Sequence, residues 1–302
     1  MSNIIKDKII IPSWDIIKED NKIKKFYFFP WLLSIIFLTF LLVYQFIYTW
    51  VVLFWKKEEA LVVVLKFFHS NYLIETVIAF IIFLIIYFIL TPIFEWGLIK
   101  YIDNRNKDIK MSCSEVFSLW LYKFLPVFEY NNIFSEFKFI SILNFYLFTL
   151  RFLWIEYIDK ISYWYLIIFV FSTILNVLFV YSKYEIVVGN KWIFESIWLS
   201  SKIALLNIKN TIKLYFLMLV LNIRVIFNFL IFLSFPIIMA VAVLLITSKI
   251  FLILAIWILS ILFIFFIAIL WYLTAVLEIF TTSIWYYAYK EWKENIEKLK
   301  EM

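Results

Sequence analysis

The sequence predicts an all-α protein, a polytopic membrane helix bundle of six transmembrane helices with amphipathic helices on its cytoplasmic surface. Three observations carry this. Of 302 residues, 66% are hydrophobic, where a soluble domain of ordinary composition holds about 45–50%. The apolar runs exceed the roughly 20 residues that a helix needs to cross a bilayer, and they lack the period-two alternation of barrel strands. Only two glycines and five prolines interrupt the chain, so long helices can run unbroken and satisfy their own backbone polar groups in lipid.

Residues 1–25 are a polar cytoplasmic segment with six lysines. Ser13 can cap a short helix there, WDIIKEDNKIKK, at the membrane surface. The segment lacks the apolar region and small-residue cleavage site of a removable signal. The first span is 26–54, with Pro30 in its first turn, where a missing N–H costs little, and Trp31 and Trp50 at the two interfaces. The run ALVVVLKFFHSNY follows on the far side, too short to cross. The second span is 72–100, with a kink expected at Thr91-Pro92, and IDNRNKDIK reads as a hydrophilic loop. Ser112 and Glu115 form a capping box. It opens a surface helix at 112–125 that stops before Pro126. The third span is 137–157 and the fourth 161–181. The fifth, 212–247, is over-long, so it tilts, protrudes or bends at Pro236. The sixth, 250–288, is also over-long, and 289–302 is a charged cytoplasmic tail.

The most patterned stretch is YSKYEIVVGNKWIFESIWLSSKIALLNIKNTIK, residues 181–213. Gly189-Asn190 breaks the preceding helix, with Asn190 a good N-cap. From there a surface helix runs over about 190–209. At 100° per residue Lys191, Glu195, Lys202 and Lys209 share one narrow stripe. That basic stripe (Lys191, Lys202 and Lys209) suits water or anionic lipid headgroups. Ser196, Ser200 and Ala204 fall roughly opposite, a small-residue line that lets another helix approach closely. An ordinary connector helix beneath the bundle is the plainer alternative.

Charge sets the topology. The N-terminus, loops 100–138 and 183–213 and the tail hold 21 basic residues, and the opposite side holds 6. The positive-inside rule places both termini in the cytoplasm of a multi-pass protein of the cell inner membrane. Anionic lipid accounts for the net charge of +6, so no nucleic-acid partner is needed. The abundance of Ile, Phe, Tyr, Asn and Lys reads as the imprint of an AT-rich bacterial genome rather than as an aromatic site.

Chemistry-bearing groups are sparse. One cysteine, Cys113, excludes an internal disulfide, and the single His69 excludes a His-rich metal centre. No phosphate-binding or dinucleotide glycine loop can be written from Gly97 and Gly189. No catalytic residue, cofactor or metal is expected. The polar groups inside apolar runs are Gln45, Glu95, Asn144, Asn176, Glu185, Asn222, Arg224, Asn228 and Glu278. Ionisable groups at that depth face the bundle interior or water, whereas amides serve equally as helix–helix glue. Arg224 and Glu278 lie at similar depth on adjacent antiparallel helices, which makes them the expected ion pair.

EWGLIKYI with SEVFSLWLYKF, then EIVVGNKWIFESIWLSSKIALLNIKNTIKLYFLMLVL, then AVLEIFTTSIWYYAYKEW resemble successive segments of one bacterial family. It is the integral-membrane domain found ahead of some glycerophosphoryl diester phosphodiesterases, with related stand-alone six-helix proteins. The resemblance implies a six-helix membrane domain and carries over no catalytic residue. The soluble phosphodiesterase barrel has no counterpart in this sequence.

The expected function is a non-enzymatic membrane protein that organises lipid, or a membrane or cytoplasmic protein partner, at the cytoplasmic face. The alternative is a small-solute or lipid transporter with a polar site around Arg224. A lipid-modifying enzyme ranks third, for want of a carboxylate or histidine cluster.

Overall fold

Three helical stretches, Leu73–Asn106, Ile158–Val187 and Lys249–Glu301, each run from an apolar, outward-facing part into a densely packed part, and the packed parts meet at one end. The computed structural model describes residues 5–25, 72–109, 124–135, 157–223 and 248–301, with single positions between them. Every element among them is helical, with no strand. A π-helical stretch, Lys6–Ile10, leads into α1, Ile11–Glu19. Then come α2, Leu73–Asn106, α3, Phe124–Ser135, α4, Ile158–Phe179, and α5, Ser182–Val187. The chain closes with α6, Ile193–Leu206, α7, Ile208–Ile223, and α8, Lys249–Glu301.

Among the described residues two stretches, Leu73–Asn106 and Ile158–Val187, are long and apolar enough to cross a membrane, and α6 with α7 makes a third only if that bent pair is one span. In α2 the side chains of Ile74, Ile78, Ile81, Ile85 and Phe88 are exposed, while Ile93, Phe94, Trp96, Leu98, Ile99 and Ile102 are buried. In α4 the exposed residues include Tyr163, Leu166, Phe169 and Val170, and burial sets in at Tyr181, Tyr184 and Ile186 beyond its end. In α8, Ile250, Phe251, Trp257, Ile261 and Phe265 are exposed, and burial starts at Ala275. Ala275, Ile279, Thr282, Tyr286 and Tyr289, all buried, follow a four-three spacing. That spacing keeps one seam of the helix against its neighbours.

The packed end departs from the sequence reading in several ways. Residues 5–25 do not lie apart as a polar surface segment. Ile5, Ile9, Ile16 and Ile23 are buried, and at 100° per residue they form one stripe about 40° wide. The N-terminal helices pack on α8. Ser13 is no cap: it is buried in mid-helix and donates to the Ile9 carbonyl at 2.6 Å. The charged tail after Ala288 continues α8 as helix, with Tyr289 and Trp292 in the core. In the supposed loop, Asp103 and Asn104 are buried on the last turns of α2. The helix does not stop before Pro126: Phe124–Ser135 is helical with Pro126 inside it. The 190–209 surface helix is shorter, and the chain turns by 96° at Asn207 into α7, ahead of the 212 boundary expected for the fifth span. Most of the first span, most of 112–123, most of the third span and the chain from Arg224 to Thr247 lie outside the described residues.

Asp20 ties the N-terminal helices to α2. It ends α1 in an extended conformation and accepts from the Lys22 and Ile23 amides at 2.9 and 3.2 Å. It also accepts from the Tyr101 hydroxyl at 2.6 Å and from Arg105 at 3.0 Å. Arg105 also reaches Glu19 at 2.9 Å. Burial pushes the Asp20 carboxyl up, but the Tyr101 hydroxyl, the two amides and Arg105 outweigh it and hold it below the ordinary 3.8. A carboxyl held low in the folded state stabilises the fold above its unfolded value and loses that contribution as pH falls through the folded one. The purified protein in detergent is therefore expected to lose stability as pH drops below about 3.8. Asp20→Asn should flatten that part of the profile. An identical acid profile for wild type and variant in thermal denaturation would contradict the assignment.

Candidate functional site

The break between α5 and α6 forms one wall of the site. Gly189 is required there by space, not by backbone angle. A Cβ at Gly189 would stand 2.5 Å from Glu185 Oε2 and 2.7 Å from the Glu185 carbonyl oxygen. Asn190 takes the left-handed conformation, φ 52°, and Trp192, not Asn190, is the residue that precedes the first turn of α6. The small-residue line then does what its spacing allows. Ser196, Ser200 and Ala204 are fully buried, and α6 packs on α4 and α5. Ser200 Oγ donates to the Leu178 carbonyl at 2.7 Å and accepts the Tyr181 N–H at 3.0 Å, stitching the junction between α4 and α5.

Against that wall lie the end of α2 and the final third of α8. A cleft of about 210 Å³ opens between them, lined by Asp103 and Lys107, by Val188 and Gly189, and by Tyr286, Tyr289, Lys290, Lys293, Glu294 and Glu297 of α8. Two buried carboxylates anchor its walls. Asp103 accepts from the Tyr286 hydroxyl at 3.0 Å, from Lys107 at 2.8 Å and from Lys100 at 3.3 Å. Glu185 is 1% exposed and accepts from Lys293 at 2.9 Å through Oε2, while its Oε1 has no hydrogen-bond partner among the described residues. Lys293 also donates to the Tyr289 hydroxyl at 2.8 Å. Burial, followed by the charge of Glu185, raises the Tyr289 hydroxyl far above the ordinary phenol value, so it stays neutral. The cleft can bind small polar groups of either charge. Its residues include no histidine, no cysteine and no serine from which a nucleophile and base could be assembled.

The residues singled out from sequence scatter. Glu278 is half-buried in the packed part of α8, and Asn222 is exposed on α7. Asn176 donates to the Ser172 carbonyl at 3.0 Å, and its own carbonyl accepts the Tyr215 hydroxyl at 2.5 Å. Arg224, Asn228, Asn144 and Gln45 lie outside the described residues, and with them the Arg224–Glu278 pair. Glu95 meets Lys183 at 2.8 Å and Asn131 at 3.3 Å. Lys191, Lys202 and Lys209 are exposed, and Lys191 pairs with Glu195 one turn on. Asp103, Tyr286, Tyr289 and Lys293 were missed because they sit in stretches that read as loop, span and tail. The seam through 275, 279, 282, 286 and 289, which runs past the supposed span end, was the signal that would have found two of them.

Lys293→Met leaves Glu185 buried without its counter-charge. Breaking a buried pair costs about 3–5 kcal/mol, and the partial exposure of Lys293 places the expected loss near the lower end, about 3 kcal/mol. The double variant Glu185→Leu/Lys293→Met should recover most of it in denaturant titrations. Gly189→Ala should cost about 1–3 kcal/mol by overpacking, and an unchanged melting midpoint would contradict the tight contact with Glu185. Comparison with family models, with curated proteins and with solved structures finds no match to this chain, so the role of the cleft has to be argued from its own residues.

Proposed function

We propose that the chain is a multi-pass inner-membrane protein that organises anionic lipid, or a protein partner, at the cytoplasmic face through α6. The observation that carries this is the outer face of α6. Trp192, Phe194 and Trp198 are 83%, 81% and 73% exposed, and the exposed Lys202 accompanies them on α6, with Lys191 just ahead of the helix and Lys209 beyond the bend, on α7 rather than on one stripe with the other two. Free in water such a face would be costly. With its aromatic rings at headgroup depth and its lysines on phosphates, it suits the plane of a membrane interface. The 96° turn at Asn207 supports this, since it lets one helix lie along the surface while the next turns away from it.

Six spans with both termini inside remain the preferred plan. Four segments counted as cytoplasmic by their charge come together at the packed end. Lys8 meets Glu291 at 2.6 Å, Arg105 meets Glu19 and Asp20, and Lys293 meets Glu185. That convergence is what one cytoplasmic side requires. The resemblance to the membrane domain of glycerophosphoryl diester phosphodiesterases fits the same plan. The transporter alternative rests on Arg224 and gains no support from the described residues.

Two measurements test this reading. In a Cys113→Ala background, a spin label at Trp198→Cys in anionic bilayers should be reached by dissolved oxygen and shielded from a water-soluble nickel chelate. Lys191→Glu/Lys202→Glu/Lys209→Glu should reverse that order, since each lysine contributes about 1 kcal/mol at an anionic surface. A wild-type label open to the chelate would refute the interfacial placement. Cysteine labelling should find positions beside Lys57 and Lys249 outside, and beside Lys107, Lys202 and Lys298 inside. Lys57 and Lys107 on one side would refute the six-span plan.

A further inference from the structure

We propose that α6 responds to how tightly the lipid beneath it is packed: Phe194, Trp198 and Leu205 form an apolar wedge that seats in a loosely packed bilayer, and acyl packing rather than surface charge sets its depth. The proposal rests on the interfacial reading of α6 and names the lipid property that the helix recognises.

Charge comes first. Between Ile193 and Leu206 the helix carries one acid, Glu195, and one base, Lys202. Lys191, just ahead of it, is paired with Glu195, and Lys209 lies beyond the bend on α7. Segments that dock on anionic lipid by charge carry clusters of about 4–8 basic residues. A single lysine on a helix of zero net charge is not such a cluster.

The apolar pattern is the second observation. At 100° per residue Phe194, Leu205 and Trp198 fall within about 40° of one another, and Lys202 and Glu195 follow roughly 40–60° to one side. All three apolar side chains are exposed. The opposite face is fixed, since Ser196, Ser200 and Ala204 are buried where α6 packs on α4 and α5. The helix therefore cannot roll the stripe inward.

Continuity shows what covers the stripe. Leu205 and Leu206 are exposed at the end of α6, and the chain bends by 96° into α7. There the exposed Ile208, Ile212, Phe216, Leu219 and Ile223 fall within about 80°. The two helices together are apolar enough for a broken membrane segment, so one apolar medium suits both outward faces. Large rings on a fixed helix need room among the acyl chains. Unsaturated lipids leave gaps below the headgroups that such rings fill, and tightly packed lipids close them. Binding by apolar area is sensitive to lipid composition and curvature for this reason.

The test uses the full chain in a Cys113→Ala background, reconstituted in vesicles, with a spin label at Leu205→Cys. The ratio of its collision rates with oxygen and with a water-soluble nickel chelate is divided by the same ratio for a label at Phe216→Cys on α7, which corrects for the oxygen content of each bilayer. Replacing palmitoyl-oleoyl by dioleoyl phosphatidylcholine should raise the normalised ratio roughly twofold. Adding phosphatidylglycerol of the same acyl composition should leave it unchanged. Phe194→Ser/Trp198→Ser should abolish the response to unsaturation, and Lys202→Ala should keep it. A ratio that ignores acyl packing, one that follows the anionic fraction instead, or an undiminished response in the Phe194/Trp198 variant would overturn the proposal. A label shielded in every bilayer yet unresponsive overturns this proposal alone, whereas a label open to the chelate in every bilayer overturns the interfacial reading itself.

Discussion

The packed end depends on how two buried carboxylates are neutralised. Asp103 and Glu185, each 1% exposed, sit where an uncompensated charge would cost several kcal/mol. Each is matched by groups from another element as well as by its own geometry. Tyr286 of α8 reaches Asp103, and Lys293 of α8 reaches Glu185. One helix therefore closes two polar accounts that α2 and α5 leave open. The apolar core around Trp292, Tyr181 and Tyr184 supplies most of the burial. These polar contacts supply the register, because sliding α8 by one turn would take the Tyr286 hydroxyl from Asp103 and leave Glu185 without Lys293.

This arrangement also explains how much could be read from sequence. Helical class was legible from composition alone, and long apolar helices were legible at 73–106 and 158–187 because hydropathy measures the solvent that a segment prefers. The small line Ser196, Ser200, Ala204 was legible because its spacing is local. Function of a helix end was not. Asp103 lies 183 positions from Tyr286 and Glu185 lies 108 from Lys293, and nothing local marks them as neighbours. The N-terminal isoleucines show a different failure. Six lysines dominated the reading of residues 1–25, although Ile5, Ile9, Ile16 and Ile23 already traced a single buried face.

Polar residues misled for a related reason. Glu185 and Glu278 were placed at membrane depth because they interrupt apolar runs. In the fold the apolar runs outlast their outward-facing halves and continue into the packed end, where the same hydrophobicity serves a protein core. Hydropathy does not distinguish lipid from protein interior as a destination. Exposure does, and only after folding.

The continuity of α8 has a mechanical corollary. Its 53 residues make a rod of about 80 Å, against a hydrocarbon core about 30 Å thick. Helices answer a change in bilayer thickness by tilting. A rod with no joint transfers that tilt undamped to whatever is fastened at its other end. Were its exposed half to lie in a bilayer, a tilt there would be carried to Tyr286, Tyr289 and Lys293 at the wall of the cleft.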